Sequence, residues 1–337
     1  MRLALVTDAW RPQVNGVVRT LETTTAILIG RGVEVCLLTP DMFTTVACPG
    51  YASIRLAIAP GRGVARHLGA WRPDAIHIAT EGPLGWAARS WCLARGIPFT
   101  TSFHTRFADY LAVRTHLPAG CFWPLLRRFH GPAEAIFTAT PSLARELRSH
   151  GLPQTHRWSR GVDLSLFGAA GRDRWAGLPR PILLHVGRLA AEKNVGAFLS
   201  LDLPGTKVVV GDGPAAAALA RAHPEALFTG ALHGAELAAA YAGADCLVFP
   251  SRTDTFGMVM VEALASGVPV AGFPVPGPLD VIGADGCGPG GRAGARIGAL
   301  DPDLGRAVRV ALTADRSACS AEGRRYNWER CTDQFMA

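Results

Sequence analysis

PILLHVGRLAAEKN, residues 181–194, is the stretch on which the reading of this chain turns. Ile182–Val186 is a short apolar run that stops at Gly187 and is followed by two cations, Arg188 and Lys193. Near-continuous apolar strands of this kind belong to parallel sheets covered on both faces. The same pattern has already run once upstream. RLALVT (Arg2–Thr7) breaks into the loop DAWRPQVNG, and VEVCLLTP (Val33–Pro40), Ala75–Ile78, Ile97–Thr101 and Ala135–Ala139 follow as strands. Helix-length segments at Val17–Gly30, Leu84–Arg95 and Ser142–His150 lie between them. After residue 181 the alternation restarts. Strands are expected at Thr206–Pro214, Ala226–Gly230, Asp245–Pro250 and Pro269–Phe273, and helices at Ala215–Ala222, Glu236–Ala242, Met258–Ser266 and Leu304–Thr313.

The fold class is therefore α/β, with two doubly wound, Rossmann-like domains in series. The expected division is a first domain at 1–167, a linker at 168–180 and a second domain at 181–319. The Gly-rich stretch Asp285–Gly298 is expected as irregular loop, and Glu322–Phe335 as a closing helix. Domains of this type take ligands at the carboxyl ends of their strands, and two facing each other make a central cleft.

Composition narrows the classes. A chain of 337 residues, 49% hydrophobic and 18% charged, has material for two cores and is not a disordered chain. No run of about 18 apolar residues occurs, which excludes a spanning helix. The first residues reach Asp8 and Trp10 too soon for a signal peptide, so the expected location is the cytoplasm. The cysteines at 36, 48, 92, 121, 246, 287, 319 and 331 form no C-x-x-C pair and read as reduced thiols. No structural-zinc spacing is present, and no metal is expected. Residues 1–175 carry 20 Arg and 11 acids, a balance of +9. Residues 176–337 carry 12 Arg, 2 Lys and 16 acids, a balance of −2. A basic first half suits an anionic partner, or solubility alone.

Four constellations carry chemistry. In Gly187-Arg188-x4-Lys193 a strand end presents a forked donor and a mobile point charge, a pair suited to a diphosphate. Lys193 is one of only two lysines in the chain. In FPSRTDTFGMVMVEALASG (Phe249–Gly267) a loop carries Asp254 and Phe256, and Gly257 turns the backbone into a helix beginning at Met258. Free N–H groups and the dipole make such a helix start a phosphate site. Glu262 lies one turn in, among Val261, Ala263 and Leu264, where a buried carboxylate needs a partner. As a capping residue and a surface charge, Asp254 and Glu262 would have no ligand role. The loop carrying Asn15 and Gly16 follows the first strand and allows close approach of a phosphate or sugar, although it lacks G-x-G-x-x-G. His104, in TSFHT, and Gly211, in GDGP, stand at further strand ends.

In this order the pieces resemble the retaining glycosyltransferases of the GT-B fold, in the large family four that includes bacterial mannosyl-, glucosyl- and sulfoquinovosyltransferases. The resemblance is nearest to GDP-mannose-dependent alpha-mannosyltransferases. It rests on the NG loop near 15, SFHT near 104, RGVD at 160–163, VGRLAAEKN at 186–194, GDGP at 211–214 and PSRTDTFGMVMVEALASGVPV at 250–270. It implies a nucleotide-sugar donor, with Gly187, Arg188 and Lys193 on the diphosphate, Glu262 on the ribose, Asn15 and Gly16 closing over the phosphates, and His104 beside the transferred sugar. Gly211, Phe256, Gly257 and Met258 complete the donor site, and Asp254 contacts hydroxyls of the sugar. It also implies that the closing segment, within 320–337, packs back onto the first domain. Asp254 is a departure, because the family pattern E-x7-E has Glu there.

The function expected from this resemblance is transfer of a hexose, with retention, to a hydroxyl of a lipid or glycan acceptor. GDP-mannose is the first donor expected and a UDP-sugar the second. No cofactor, metal or nucleic-acid partner is expected. Two other readings fit parts of the pattern: an epimerase on the same fold, and a hinge-type binding protein without catalysis. The segments Phe107–Arg114 and Phe122–Phe129 mix apolar and aromatic residues with Arg. They suit docking on an anionic membrane surface, at its inner face, or a core-packed helix with solvated arginines.

Overall fold

Strand β1 (Arg2–Val6) is buried along almost its whole length, and its neighbours on both sides run parallel to it. It is followed by β2 (Glu34–Leu38), an antiparallel hairpin of β3 (Thr45–Cys48) and β4 (Tyr51–Ala57), then β5 (Ala75–Ile78), β6 (Thr100–Phe103), β7 (Ile136–Thr138) and β8 (Thr155–Arg157). The first sheet has the order β2-β1-β5-β6-β7-β8, with parallel pairing throughout. The chain moves from β1 to one side and then restarts on the other, so the switch point lies between β1 and β5. Helix Gly16–Gly30 covers one face with Val18, Leu21, Thr25 and Leu28, a helical spacing of buried positions.

A second sheet repeats the scheme. It contains β9 (Ile182–Val186), β10 (Thr206–Val210), β11 (Leu227–Gly230), β12 (Cys246–Phe249), β13 (Val270–Gly272) and β14 (Gly298–Leu300) in the order β11-β10-β9-β12-β13-β14. Here the switch point lies between β9 and β12. In this computed structural model, which describes residues 1–13, 16–48, 51–104, 115, 117–168, 171–289 and 295–337, the chain divides into two units. One is Met1–Ser159 with Trp328–Ala337, and the other is Arg160–Asn327.

These boundaries correct the expected ones of 167, 168–180 and 319–320. The supposed linker is anchored in the second unit. Trp175 is buried and its Nε1 donates to Ala240 O at 3.0 Å. Arg180 pairs with Asp245 at 2.7 Å, and Phe167 packs edge-on against Tyr241. The single helix expected over Glu322–Phe335 is two. Helix Arg316–Gly323 stays in the second unit, where Gly323 packs so close to Ala265 that a Cβ would lie 2.2 Å from its backbone nitrogen. Helix Trp328–Met336 belongs to the first unit. There Phe335 joins His77, Phe137 and Trp158 in an aromatic cluster, and Gln334 O accepts from His156 Nε2 at 2.7 Å.

Candidate functional site

The second unit places its cations where its topology predicts a ligand. β9 ends at Val186 and β12 at Phe249, on either side of the switch point. Gly187 and Arg188 follow the first of these ends, and the loop with Asp254 follows the second. Asn194, in the left-handed region at φ 53°, donates from Nδ2 to Pro250 O at 3.2 Å and ties the two loops together. Lys193 Nζ donates to Asp254 Oδ1 at 2.5 Å, an ion pair with both side chains about three-quarters buried. The other lysine has a different task. Lys207 Nζ donates to Leu199 O and Leu201 O, satisfying carbonyls at a helix end.

Asp254 is not a cap. Gly257, at φ 82°, occupies the cap position of helix Met258–Ala265 and has no side chain to cap it. Asp254 Oδ2 is shielded from solvent and has no hydrogen-bond partner among the described residues. Glu262 is not a surface charge either: it is 3% exposed and accepts from Tyr241 Oη at 2.9 Å. Phe256 is buried and packs edge-on against Tyr326 at 5.9 Å, so its side chain serves the core. Arg188 is half exposed, with Glu192, four residues along, at 4.0 Å.

Glycines let the loops meet. A Cβ on Gly211 would lie 1.9 Å from Gly187 O, and one on Gly277 would lie 2.7 Å from Asp254 O. Gly211 is thereby accounted for by backbone packing. Beneath Gly187 lies His185, which sequence reasoning passed over. Its Nδ1 faces Val248 O at 3.3 Å, and its buried Nε2 has no partner among the described residues. Burial pushes this imidazole down to about 4, so it is neutral.

In the first unit, Asn15 lies outside the described residues. Gly16 opens the first helix, exposed, and His104 directly follows β6, buried and tilted against Trp158 at 5.4 Å. The switch point between β1 and β5 holds polar groups that sequence reasoning missed. Asp8 Oδ1 accepts from Leu84 N at 2.9 Å and Oδ2 from Gly85 N at 3.2 Å, at the start of helix Pro83–Leu93. Burial pushes its carboxyl up to about 6, against the pull of those hydrogen bonds. Glu81 Oε1 faces His130 Nε2 at 3.2 Å, and His130 Nδ1 faces Thr101 Oγ1 at 2.9 Å.

Segment Phe107–Arg114 lies outside the described residues. In helix Trp123–His130 the aromatic Trp123 and Phe129 face inward with Leu126, all three buried, and Trp123 stacks on His150 at 3.6 Å. The outer face carries Pro124, Leu125, Arg127 and Arg128. The inward-facing rings of Trp123 and Phe129 fit the core-packed alternative for this segment, with its arginines exposed. No helix among the described residues is long and apolar enough to cross one. Among the described residues no three His, Cys, Asp or Glu are grouped to hold a metal ion.

Comparison with known proteins agrees with this architecture. Residues 14–166 match the model described as Glycosyltransferase Family 4, and residues 180–296 match Glycosyl transferases group 1. The GDP-mannose-dependent alpha-mannosyltransferase of Mycolicibacterium smegmatis is 33% identical over 311 residues, covering 84% of this chain and 82% of that protein. The sucrose-phosphate synthase structure from Thermosynechococcus elongatus matches 100% of this chain and 97% of its own, with TM-score 0.74 at 20% identity. Anabaena HepE in complex with UDP-glucose covers 100% and 98%, with TM-score 0.70 at 14% identity. Both structures share the two-sheet GT-B fold.

Proposed function

The chain belongs to glycosyltransferase family 4, and on that premise we propose that it moves mannose from GDP-mannose, with retention, to a hydroxyl of a lipid or glycan acceptor. The observation that carries this is the Lys193–Asp254 pair at the β9/β12 switch point, beside Arg188 and the Met258 helix start. Glycosyl transfer needs positive charge where the leaving diphosphate forms, and Arg188, Lys193 and that helix start supply it. Glu262 takes the ribose, and Asp254 Oδ2, buried and lacking a donor among the described residues, takes a hydroxyl of the sugar. His104 is assigned to the transferred sugar. The 33% identity to a GDP-mannose-dependent enzyme favours GDP-mannose over a UDP-sugar.

The anomeric carbon gains oxocarbenium character as the phosphate departs. The acceptor attacks from the same face, and the leaving phosphate oxygen takes its proton. The cations Arg188 and Lys193 do the work of a divalent ion, so neither metal nor cofactor takes part. The basic first half favours work at the inner face of an anionic membrane, reached through Leu125, Arg127 and Arg128.

A donor panel tests the proposal. GDP-mannose, UDP-glucose and UDP-galactose are each incubated with hydroxyl acceptors in EDTA, and release of GDP or UDP is measured. The expected result is GDP release from GDP-mannose and an α-linked product by NMR. Release only from UDP-sugars, a β-linked product, or activity lost in EDTA would each remove the corresponding part.

A further inference from the structure

His185 is a buried titratable group that the proposed donor chemistry leaves without a task. It sits one residue before the end of β9, 3% exposed, with the Phe198 ring at 6.3 Å. One contact fixes its tautomer. Val248 O, 3.3 Å from Nδ1, can only accept, so Nδ1 carries the hydrogen and Nε2 is a bare lone pair. Nε2 is shielded from solvent and has no partner among the described residues. A Cβ on Gly187 would stand 3.7 Å from it, so this nitrogen lies at the turn that carries Arg188. Burial pushes the ring down to about 4; Lys193 pushes the same way, while Val248 O and Asp254 oppose it.

Asp254 is in a matching position. Its Oδ1 holds Lys193, and its Oδ2 is shielded and without a donor among the described residues. The two orphaned atoms, Nε2 and Oδ2, are both acceptors, so neither can satisfy the other as the site stands. A single proton would satisfy both. What keeps it out is Lys193, whose charge already neutralises Asp254. Other charged groups on the surrounding elements are engaged elsewhere. Arg188 faces Glu192, and Arg252 lies over the Phe273 ring at 3.7 Å. Lys207 on β10 is bonded to Leu199 O and Leu201 O, and Asp212 accepts from Gly213 N.

We propose that the donor's diphosphate draws Lys193 off Asp254, and that one proton from solvent takes its place, held between His185 Nε2 and Asp254 Oδ2. The contact that breaks is Nζ–H to Oδ1. The bond that forms is Nε2–H, which donates to Oδ2. The carboxylate keeps its charge, and its remaining lone pairs stay open to a sugar hydroxyl. The diphosphate then meets a carboxylate that is paired instead of bare, which removes like-charge repulsion. His185 is a positioning residue, acting on the sugar through Asp254. The identity of the ligand rests on the transferase reading, and the second of two tests needs no ligand.

The first test is calorimetric. GDP-mannose and UDP-glucose are titrated into the protein at pH 6.5 in two buffers of different ionisation enthalpy, which counts the protons taken up. A nucleotide sugar has no terminal phosphate to ionise near pH 6, so the ligand contributes none. Wild type should take up about one proton per donor bound, and its Kd should rise by up to about tenfold per pH unit as pH increases. His185→Gln and Asp254→Asn should each take up none and bind with a flat pH dependence. The second test is NMR titration of the His185 ring in the free protein. Lys193→Ala should raise its titration from about 4 to roughly 6 or above, and adding Asp254→Asn should bring it back down. Donor binding without proton uptake, or equal uptake by His185→Gln, overturns the proposal, as does a ring that titrates at the same pH in Lys193→Ala. If no nucleotide sugar binds while Lys193→Ala still raises the ring, the transferase reading fails and the His185–Asp254 proton pair stands.

Discussion

Replacing Asp254 by Asn should tighten nucleoside diphosphate binding and lower sugar transfer in the same protein. Lys193 Nζ donates to Asp254 Oδ1 at 2.5 Å, with side chains 26% and 22% exposed. A hydrogen bond between charged groups contributes about 1.5–3 kcal/mol, and partial solvent screening puts this one at the lower end. A diphosphate that recruits the same ammonium must break that bond first. Removing the competitor returns about 1.5 kcal/mol, or roughly a tenfold lower Kd. Asn keeps the volume and one acceptor oxygen, so the loop keeps its shape. Transfer should fall because the charged Oδ2, shielded from solvent, is lost as a partner for a sugar hydroxyl. Isothermal titration of GDP and UDP into wild type, Asp254→Asn, Lys193→Ala and the double variant makes a closed cycle. The gain should vanish when Lys193 is absent. Unchanged or weaker binding by Asp254→Asn, or the same gain in the Lys193→Ala background, would refute the competition.

Arg188→Ala should lower transfer about a hundredfold, the equivalent of ~3 kcal/mol of charge stabilisation, with little change in Tm because the residue is half exposed; near-full turnover would take it off the diphosphate. Tyr241→Phe removes a donor from the buried Glu262 and should cost about 1–3 kcal/mol in urea unfolding. His185 is held neutral, with its imidazole pushed down to about 4, so its contribution to stability is present above 6.5 and is lost as pH falls toward 4. At pH 5 that loss is about 2 kcal/mol, and His185→Gln, compared with wild type at pH 7.5 and 5, should remove it; identical pH dependence in the two proteins would show that His185 titrates normally. The comparison within one pair cancels Asp8, which titrates in the opposite sense. Leu125→Glu should reduce sedimentation with anionic liposomes at low salt, and equal sedimentation by both proteins would move the membrane contact elsewhere.

Much of the architecture was legible because parallel strands buried on both faces leave apolar runs that punctuation cannot hide. Ala75–Ile78 and Ile182–Val186 stand out in that way. The strand expected at Ile97–Thr101 lies instead at Thr100–Phe103, since Pro98 has no N–H for the ladder. Lys193 and Glu262 stood out in the sequence because lysine is rare in this chain and Glu262 sits in an apolar run. The Glu81–His130 contact was not, since 49 residues separate the partners and no local spacing joins them. Residues 168–180 carried the composition of a linker, and only packing reveals Trp175 as its anchor. In Trp123–His130 the stripe Trp123, Leu126 and Phe129 has the spacing of a core face, which outweighs the aromatic and basic content.

The return of Trp328–Met336 to the first unit has a consequence for how the protein is made. The second unit is one continuous stretch, 160–327, whereas the first is assembled from both sides of it. Phe335 supplies part of the aromatic cluster around His77, and Cys331 Sγ reaches Ser159 O. During synthesis the second unit has all its residues before the first unit has its last helix. The part of the chain translated first is therefore the part that finishes folding last, and until then a nascent chain exposes the apolar faces of Trp158 and Phe137 that this helix covers.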